Sequence, residues 1–532
     1  MSGSTRRQFL QHTIAASASW TLASCAIQPA RQELDLVLRG GTVIDGTGAP
    51  PLVTDVGICG DRIIALGSLG RAEAKRVLDV ARLVVAPGFV DAHAHSDLRR
   101  NPAAQSKTAQ GVTMDVCGPD GGSPFPAGED DGARAAESRA AWASQHGPIA
   151  IDIGSYVGHG TVRSRVLGSA ARAPDARELA AMQDLVRAAL EQGALGLSSG
   201  LEYFPGNVAK TDELVALATI AAKFHRPYVT HIRNEDDQLV EAVDEAIDIC
   251  RRSGANLLLS HLKVGGKPNW HKLDTVLERI ERARAEGLDV LADCYPYEAW
   301  STSLSTNYPA WAKDGGQFIA RLQDPTQRER MRKETEASVA GNGGWEVLML
   351  GNGLAAQDRD LLGKRIDAAA RERGVEPYTL ACDLLTRGSV SILGFGIDEG
   401  QMDRILAQPW CIVASDGSAV PASGRSGHPR SFGTFPRVIR RHVREQRRIT
   451  LTEAVRKMTS LPAQALRLTD RGRIAEGLLA NVVIFDPDRF TDRATWLEPQ
   501  RYAEGVQHLR SEEHTSELQS HSDLVCRLLL EK

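Results

Sequence analysis

The sequence predicts an α/β protein: a TIM-like (β/α)8 barrel accompanied by a small β-sandwich that both chain ends form. Between residues 83 and 469, short apolar runs alternate with amphipathic segments of helical length, which is typical of a parallel barrel. Residues 33–82 and 470–509 instead contain alternating apolar runs separated by glycine-rich turns, which indicate hairpins. The 532 residues are enough for one large barrel and an accessory domain.

The first 24 residues resemble an export signal rather than part of a fold. Arg6 and Arg7 precede a weakly apolar stretch over residues 14–23, as in twin-arginine signals. Residues 22–25, Leu-Ala-Ser-Cys, resemble a lipobox, which would place a lipid anchor on Cys25. The apolar stretch is too short to span a bilayer permanently. We expect a periplasmic, membrane-anchored lipoprotein that touches the membrane through this anchor alone; a disordered basic tail is the alternative.

Eight apolar runs are predicted to form the barrel strands. In chain order they are VVAPGFVDAHAH, GVTMDVCG, IAIDIGSYVG, GALGLSSG, PYVTHIRN, NLLLSHLK, DVLADCYPY and CIVASDGS. Amphipathic helices are predicted between them at residues 176–191, 211–224, 235–253 and 270–287. Active sites of such barrels lie at the C-terminal ends of the strands, so polar residues there are the candidates for function.

Residues 300–405 form an unusually long insertion between the seventh and eighth predicted strands. This position would place the insertion over the mouth of the barrel, where a lid would lie. A surface excursion without a role is the alternative.

Residues 510–532 fit no element that the preceding chain predicts. The stretch RSEEHTSELQSHSDLVCRLLLEK resembles the translated read-through of a DNA sequencing adapter. We therefore assign it no function and expect the second half of the sandwich to be cut short. The apolar strand predicted at residues 481–486 would then lack a partner, which is an aggregation hazard.

The charge balance and the cysteine spacing argue against two classes of protein. Lysine and arginine number 63 against 67 aspartates and glutamates, and no basic stripe of the kind that nucleic-acid binders carry is present. We therefore expect no nucleic-acid partner. Apart from Cys25 and Cys526, six cysteines remain, without paired or Cys-x-x-Cys spacing, so a disulfide framework is not expected.

Two histidines, His93 and His95, end the first predicted barrel strand. Residues i and i+2 of a strand point to the same face, so the two imidazoles would lie side by side. Surface histidines are the alternative, but the preceding run is typical of a buried parallel strand. Because neutral imidazole is a common metal ligand, the pair indicates half of a divalent metal site.

Further possible ligands end the fifth, sixth and eighth predicted strands: His231, His261 and Asp416. The two histidines are one βα repeat apart, and the eighth strand lies beside the first in a closed barrel. A single buried histidine is more often a packing residue, but four with a carboxylate favour a metal centre. A metal held in this way makes water acidic, and Asp416 could take its proton and pass it to a leaving amine. These groups suit hydrolysis of an amide.

Five motifs resemble one family of the amidohydrolase superfamily. They are GLSSGLEYFP (196–205), THIRNE (230–235), SHLKV (260–264), YPY (295–297) and HPRSFGTFP (428–436). In content and order they are similar to the D-aminoacylases, the N-acyl-D-amino-acid deacylases, over most of residues 34–509. The resemblance implies metal-dependent hydrolysis of small N-acyl-D-amino acids to a carboxylate and a free D-amino acid.

The resemblance also implies roles for individual residues. The residues that match the surroundings of zinc, bound as one or two ions, are His93, His95, His231, His261 and Asp416. Those expected around the substrate carboxylate and amide are Lys263, Tyr295, Ser301 and Arg430. The proton shuttle would be Asp416. Arg430 also fits on its chemistry, since a guanidinium offers a forked donor to a carboxylate, with a surface arginine as the alternative.

One position departs from the family pattern. The family carries a metal-binding cysteine after the second strand, and an ungapped alignment places Asp120 there. An oxygen ligand at this point could bridge two metals and leaves their identity and number open. Cys117, three residues earlier, is interpreted as a buried strand thiol. The expected ligands of a tighter ion are His231, His261 and Asp120. Those of a second, weaker ion are His93 and His95.

Two other functions remain as alternatives. Cyclic-amide hydrolases of the hydantoinase and dihydroorotase types share the His-x-His pattern and the sandwich. They bridge their metals with a carboxylated lysine at the fourth strand, where this sequence has LGLSSG. A non-catalytic lipoprotein that binds acylated amino acids would be expected to have lost the metal ligands, which are present. The preference for D-amino acids rests on resemblance alone.

Overall fold

The computed structural model describes residues 33–70, 72–124, 149–421, 427–511 and 514–517. The predicted signal over residues 1–24 and the anchor at Cys25 lie outside these ranges. No helix in the described ranges is long and apolar enough to cross a membrane.

A closed parallel barrel forms the centre of the molecule, which confirms the predicted fold class. Its strands are Phe89–Asp91, Val112–Cys117, Asp152–Ser155 continued by Val157–Gly158, Leu197–Gly200, Tyr228–His231, Leu257–Leu259, Val290–Cys294 and Cys411–Val413. Neighbouring strands pair in parallel throughout. A parallel bridge between Ala94 and Gly417 closes the ring between the first and eighth strands.

The first predicted barrel strand, whose apolar run breaks at Pro87-Gly88, is in fact two strands, and the prediction that both parts belong to the barrel was wrong. Val84–Pro87 pairs with strands of the small β-domain, and only Phe89–Asp91 belongs to the barrel. The chain turns at Gly88, where an added Cβ would lie 2.3 Å from the Thr113 side chain. A side chain at this position would therefore prevent the close approach of the two strands.

Helices cover the outside of the barrel. They are Gln105–Thr108, His159–Leu167, Ala176–Glu191, Thr211–Lys223, Leu239–Ser253, Leu273–Ala285, Glu399–Ala407, Arg430–Arg437 with a π-helical continuation Val438–Glu445, Leu451–Met458 and Ser460–Ala465. The helix predicted from residue 235 begins four residues later. The reason is a turn in which the Asn234 side-chain oxygen accepts the backbone N–H groups of Asp236 and Gln238.

The insertion folds into a three-stranded antiparallel sheet with its own helices. The strands are Trp300–Ser303, Leu348–Leu350 and Ser391–Gly394, and the helices are Ala310–Lys313, Phe318–Gln323, Pro325–Gly341, Ile366–Arg373 and Pro377–Arg387. Its first strand and the turn that follows line the mouth of the barrel. The insertion is therefore part of the cavity wall rather than a remote excursion.

Both chain ends contribute to one eight-stranded sheet beside the barrel, as predicted. Its strands are Leu34–Val43, Leu52–Cys59, Arg62–Gly67, Ala74–Asp79, Val84–Pro87, Val482–Phe485, Val506–Ser511 and His514–Glu517. Val482–Phe485 pairs on both sides, so the expectation that this strand lacks a partner was wrong. Moreover, Val506–Ser511 continues past the predicted boundary at residue 509.

Candidate metal centre and active site

A polar cavity of about 930 Å³ opens at the C-terminal ends of the barrel strands. Nine of the ten predicted site residues line it: His95, Asp120, His231, His261, Lys263, Tyr295, Ser301, Asp416 and Arg430. The tenth, His93, lies directly behind this wall and is completely buried. The structure thus brings all ten residues to one place, from the ends of five barrel strands, the loop after the second strand, the insertion and the start of the helix Arg430–Arg437.

One group of possible ligands combines the first strand with two carboxylates. His93 Nε2 lies 3.3 Å from an oxygen of Asp120, and His95 Nε2 lies 3.1 Å from an oxygen of Asp416. One ligand atom from each of these four residues falls within 4.8 Å of all the others. Such spacing is what a single divalent ion needs from its ligands.

A second group shares Asp120 and adds the histidines of the fifth and sixth strands. His231 Nδ1 and His261 Nε2 are 2.9 Å apart, and the latter lies 3.4 Å from Asp120 Oδ1. Asp120 therefore stands between the two histidine pairs, with one oxygen toward each. The aspartate that replaces the expected cysteine thus belongs to both groups of possible ligands.

The chemistry of this donor set fits divalent metal ions. Asp120 Oδ1 is buried and has no hydrogen-bond partner within the described structure. Burial alone would lower the pKa of His93, but the charges of Asp120 and Asp293 outweigh it and hold that pKa well above its ordinary value. Burial would raise the pKa of Asp120, yet His93 and His261 hold it well below its ordinary value. The cluster thus stabilises positive charge between its carboxylates, which is the charge that metal ions would supply.

Three of these residues have a backbone conformation that is rare for side chains other than glycine. The φ angles of Asp120, His261 and Asp416 are +57°, +32° and +49°. Such conformations cost on the order of 1–3 kcal/mol each and cluster at functional sites. Each of the three follows the end of a barrel strand, where the left-handed turn directs the side chain into the cavity.

Gly200 allows the loop that carries Asp120 to pass close to the fourth strand. A Cβ at this position would lie 2.1 Å from the Asp120 carbonyl oxygen and 2.7 Å from the Tyr203 ring. Any larger residue would therefore displace one of these two groups. This close approach explains why the fourth-strand motif has glycine at this position.

Asp416 is held as an anion beside the two histidines of the first strand. Arg430 Nη1 lies 2.8 Å from its second oxygen. Burial would raise the pKa of Asp416, but the charge of Arg430, followed by that of His93, lowers it far below its ordinary value. A carboxylate in this state can accept a proton from a water molecule in the same cavity.

The cavity wall also offers hydrogen-bond donors. The Tyr295 hydroxyl is buried without a hydrogen-bond partner in the described structure, and the Arg430 guanidinium lies 4.9 Å from the centre of its ring. Burial raises the pKa of Tyr295 well above its ordinary value, so the phenol keeps its proton and can donate. Lys263 is instead engaged, since its Nζ donates to Glu235 at 2.6 Å and contacts His261 Nδ1 at 2.8 Å.

Several residues of the site were not predicted. Asp293 supports two histidines, because one oxygen lies 3.3 Å from His93 Nδ1 and the other accepts the His261 backbone N–H at 2.8 Å. Glu202 lies 3.2 Å from a nitrogen of His231. A single aspartate within an apolar strand gave no periodic signal. The predicted strand thiol Cys117 is buried, donates to the Ser96 carbonyl and belongs to none of the possible metal groups in the described residues.

Comparison with known proteins identifies the family of this chain. The model of the amidohydrolase family, Amidohydro_3, matches residues 76–509. The chain belongs to the amidohydrolase family. This amidohydrolase is 38% identical to an N-acyl-D-glutamate deacylase of Alcaligenes xylosoxydans xylosoxydans, over 90% of this chain and 93% of the relative. It is 34% identical to a D-aminoacylase of the same organism, over 89% of this chain and 93% of the relative.

Solved structures place the amidohydrolase chain in the same group. An N-acyl-D-glutamate deacylase from Bordetella bronchiseptica, complexed with zinc and a phosphonate inhibitor, superposes with a TM-score of 0.77 at 34% identity, covering 91% of this chain and 96% of that one. A D-aminoacylase gives a TM-score of 0.76 at 32% identity, with the same coverage. A dihydropyrimidinase from Brevibacillus agri, at 16% identity and a TM-score of 0.54, covers 90% of this chain and 94% of that one and shares the fold alone.

Proposed function

We propose that this amidohydrolase hydrolyses the amide bond of N-acyl-D-amino acids and releases a carboxylate and a free D-amino acid. The observation that carries the proposal is Asp120 between two pairs of histidines, with the Asp416–Arg430 pair beside it. The relatives that support the substrate class are an N-acyl-D-glutamate deacylase, a D-aminoacylase and an N-acyl-D-aspartate deacylase, at 32–38% identity.

Zinc, as one or two ions, is the proposed cofactor. The ligands of the tighter ion would be His231, His261 and Asp120, and those of the second ion would be His93, His95 and Asp120, next to Asp416. When bound, divalent zinc supplies Lewis acidity toward a carbonyl and makes water more acidic. A D-aminoacylase with a binuclear metal centre is among the similar structures, at 33% identity.

The side chains of this chain supply the proton transfer and the orientation. Asp416, kept anionic by Arg430, takes a proton from the attacking water and delivers it to the leaving nitrogen. The guanidinium of Arg430 also offers donors to the substrate carboxylate, which is an anion of matching geometry. Tyr295, a neutral phenol without a partner in the described structure, donates to an oxygen of the substrate. Ser301, on the first strand of the insertion, closes the wall on this side.

A cyclic-amide hydrolase is disfavoured by the fourth strand. Leu197–Gly200 is buried and carries no lysine, and Asp120 occupies the space between the two histidine pairs. Lys263 is the only lysine among the described cavity residues, and Glu235 engages it. A non-catalytic binding protein would have no use for an anionic Asp416 in the site.

Matched substrates test the proposal. The zinc-loaded protein should release free amine from N-acetyl-D-amino acids and little from the L enantiomers. A cyclic substrate such as a hydantoin should not be opened. Amine release from no N-acyl-D-amino acid in a broad panel, with full zinc content, would disprove the proposed function.

We also propose that the protein is an exported lipoprotein on the periplasmic side of a membrane. The twin Arg6-Arg7 motif and the lipobox that ends at Cys25 support this proposal. The test is fractionation of cells that express the full chain. The protein should pellet with membranes, Cys25→Ala should release it, and Arg6→Lys with Arg7→Lys should retain it in the cytoplasm. A soluble parent protein would contradict the proposal.

A further inference from the structure

Beyond the metal ligands, uncharged polar side chains form much of the cavity wall. The insertion contributes Thr302, Thr306 and Asn307 from its first strand and turn, and Ser338 and Asn342 from its long helix. Groups of this kind form hydrogen bonds with a polar ligand but neutralise no charge. The wall therefore favours a polar, uncharged side chain on the amino acid.

The cations of the cavity are already committed to carboxylates. Three lysine or arginine residues line it in the described structure: Arg233, Lys263 and Arg430. Arg233 donates to both oxygens of Glu245, at 2.7 and 2.9 Å, and also to two backbone carbonyls. Lys263 and Arg430 pair with carboxylates at 2.6 and 2.8 Å, as described above.

Two carboxylates on the same wall have no cationic partner. Neither the carboxylate of Glu202 nor that of Asp236 pairs with a lysine or arginine among the described residues; Lys272 Nζ, which does not line the cavity, donates to the Asp236 backbone carbonyl instead, at 3.1 Å. Asp236 accepts the backbone N–H of Asp237, and its second oxygen faces Gly341 at the end of the long helix of the insertion, 3.2 Å from where a Cβ would stand. This part of the cavity is therefore negative.

We propose that the preferred substrates carry a polar, uncharged side chain and that acidic side chains are rejected. The inference rests on the proposed function and narrows its substrate class. The carboxylate common to all substrates can share Arg430 with Asp416 and accept from Tyr295, but a second carboxylate would meet no lysine or arginine of the described cavity wall that lacks a carboxylate partner. A buried charge without a partner is strongly unfavourable, and nearby like charges add to the cost. This chain thus differs from its relatives named for D-glutamate and D-aspartate.

The isosteric pair N-acetyl-D-glutamine and N-acetyl-D-glutamate gives the test, at pH 8. This pH lies above the value of about 7 to which burial raises the pKa of Asp236, so that its carboxyl is ionised. We expect kcat/KM for the glutamine compound to exceed that for the glutamate compound by at least about 100-fold. Equal rates, or a preference for glutamate, would overturn the inference while leaving the proposed function intact. Turnover of neither, with turnover of another N-acetyl-D-amino acid, would also overturn the inference, whereas turnover of no member of a broad panel would disprove the proposed function.

Two variants test the physical cause. Asp236→Asn should reduce the preference for glutamine by about tenfold, because it removes one like charge. The matched control is Asp184→Asn, which removes the same charge from an exposed position on the helix Ala176–Glu191, outside the cavity, and should leave the preference unchanged. Thr306→Arg, at a half-exposed wall position, should raise activity on glutamate by supplying an uncommitted cation. An unchanged preference in both cavity variants would overturn the electrostatic origin of the selectivity.

Discussion

At the scale of single residues, the proposed role of Asp416 as proton shuttle depends on its charge. Asp416→Asn keeps the size of the side chain but removes the proton acceptor. We expect kcat to fall by about 10²–10⁴-fold, as for other general acid–base residues. The ligands His231, His261 and Asp120 remain, so the tighter zinc ion should stay bound. Metal analysis and kinetics on one protein sample provide the check. Activity within a fewfold of the parent would exclude Asp416 as the shuttle.

A buried lysine below the site holds the first and eighth strands together. The Lys107 ammonium is completely buried, 2.5 Å from an Asp91 oxygen, 2.9 Å from the Ser415 hydroxyl and 3.4 Å from Asp115. Asp91 in turn accepts the Ser415 backbone N–H, at 2.9 Å. These contacts fix the chain just before His93 and just before Asp416.

Removing this ammonium should therefore destabilise the whole barrel. Lys107→Met leaves Asp91 and Asp115 buried without their cation, which typically costs about 3–5 kcal/mol. Urea unfolding measures the loss. The control is Lys75→Met, which removes a lysine that is 64% exposed, on the small β-domain, and should change stability little. A loss in Lys107→Met no larger than in the control would show that the buried cluster does not stabilise the fold.

At the scale of elements, the strand ends were predictable and the partners of the side chains were not. Each histidine ligand ends an apolar run, and position in a run is visible in the sequence. The pairing of Lys263 with Glu235 and the support of His93 by Asp293 depend on contacts between strands. The break at Pro87-Gly88 is visible in the sequence, but the pairing of Val84–Pro87 outside the barrel is not, because the apolar residues on both sides of the break are equally buried.

The close packing around Gly200 in the fourth strand gives a further prediction. Gly200→Ala adds a Cβ where the Asp120 carbonyl and the Tyr203 ring already lie. The loop that carries Asp120 must move, so zinc content and kcat should both fall. The melting temperature should fall less than it would after a substitution that creates a cavity in the core. The control is Gly70→Ala, an exposed glycine of the N-terminal β-region with nothing within 4 Å of the added Cβ and no left-handed backbone. Full zinc content in Gly200→Ala would contradict this account of the glycine.

At the scale of the whole molecule, the two chain ends stabilise each other in one sheet. Hairpin patterns at both ends allowed this sheet to be predicted. The order of its strands depends on long-range pairing, which no local sequence pattern reveals. Val84–Pro87 is the link, since it pairs with Leu34–Val43 on one side and Val482–Phe485 on the other before the chain enters the barrel. The first of the proposed metal ligands, His93, follows only a few residues later. The sheet therefore anchors the first barrel strand from outside.

The C-terminal strand gives the last prediction, and it revises what the sequence suggested. Residues 510–532 resemble an adapter translation, and that origin stays a prediction that resequencing of the gene can check. Arg510, however, continues the strand Val506–Ser511 and donates to the carbonyls of Ala480 and Gly60, at 3.0 and 2.6 Å. Truncation after Leu509 should therefore lower Tm by about 2–4 °C. Truncation after Glu517, which keeps both strands, is the matched control and should not.

Activity separates this effect from damage to the site. The cavity is built from the barrel and the insertion, so both truncated proteins should keep the kcat/KM of the parent at 25 °C once they are folded. A shortened protein with unchanged Tm would mean that the contacts of Arg510 contribute nothing measurable. A fall in kcat/KM at unchanged zinc content would show instead that the sheet acts on the metal centre through Val84–Pro87 and His93.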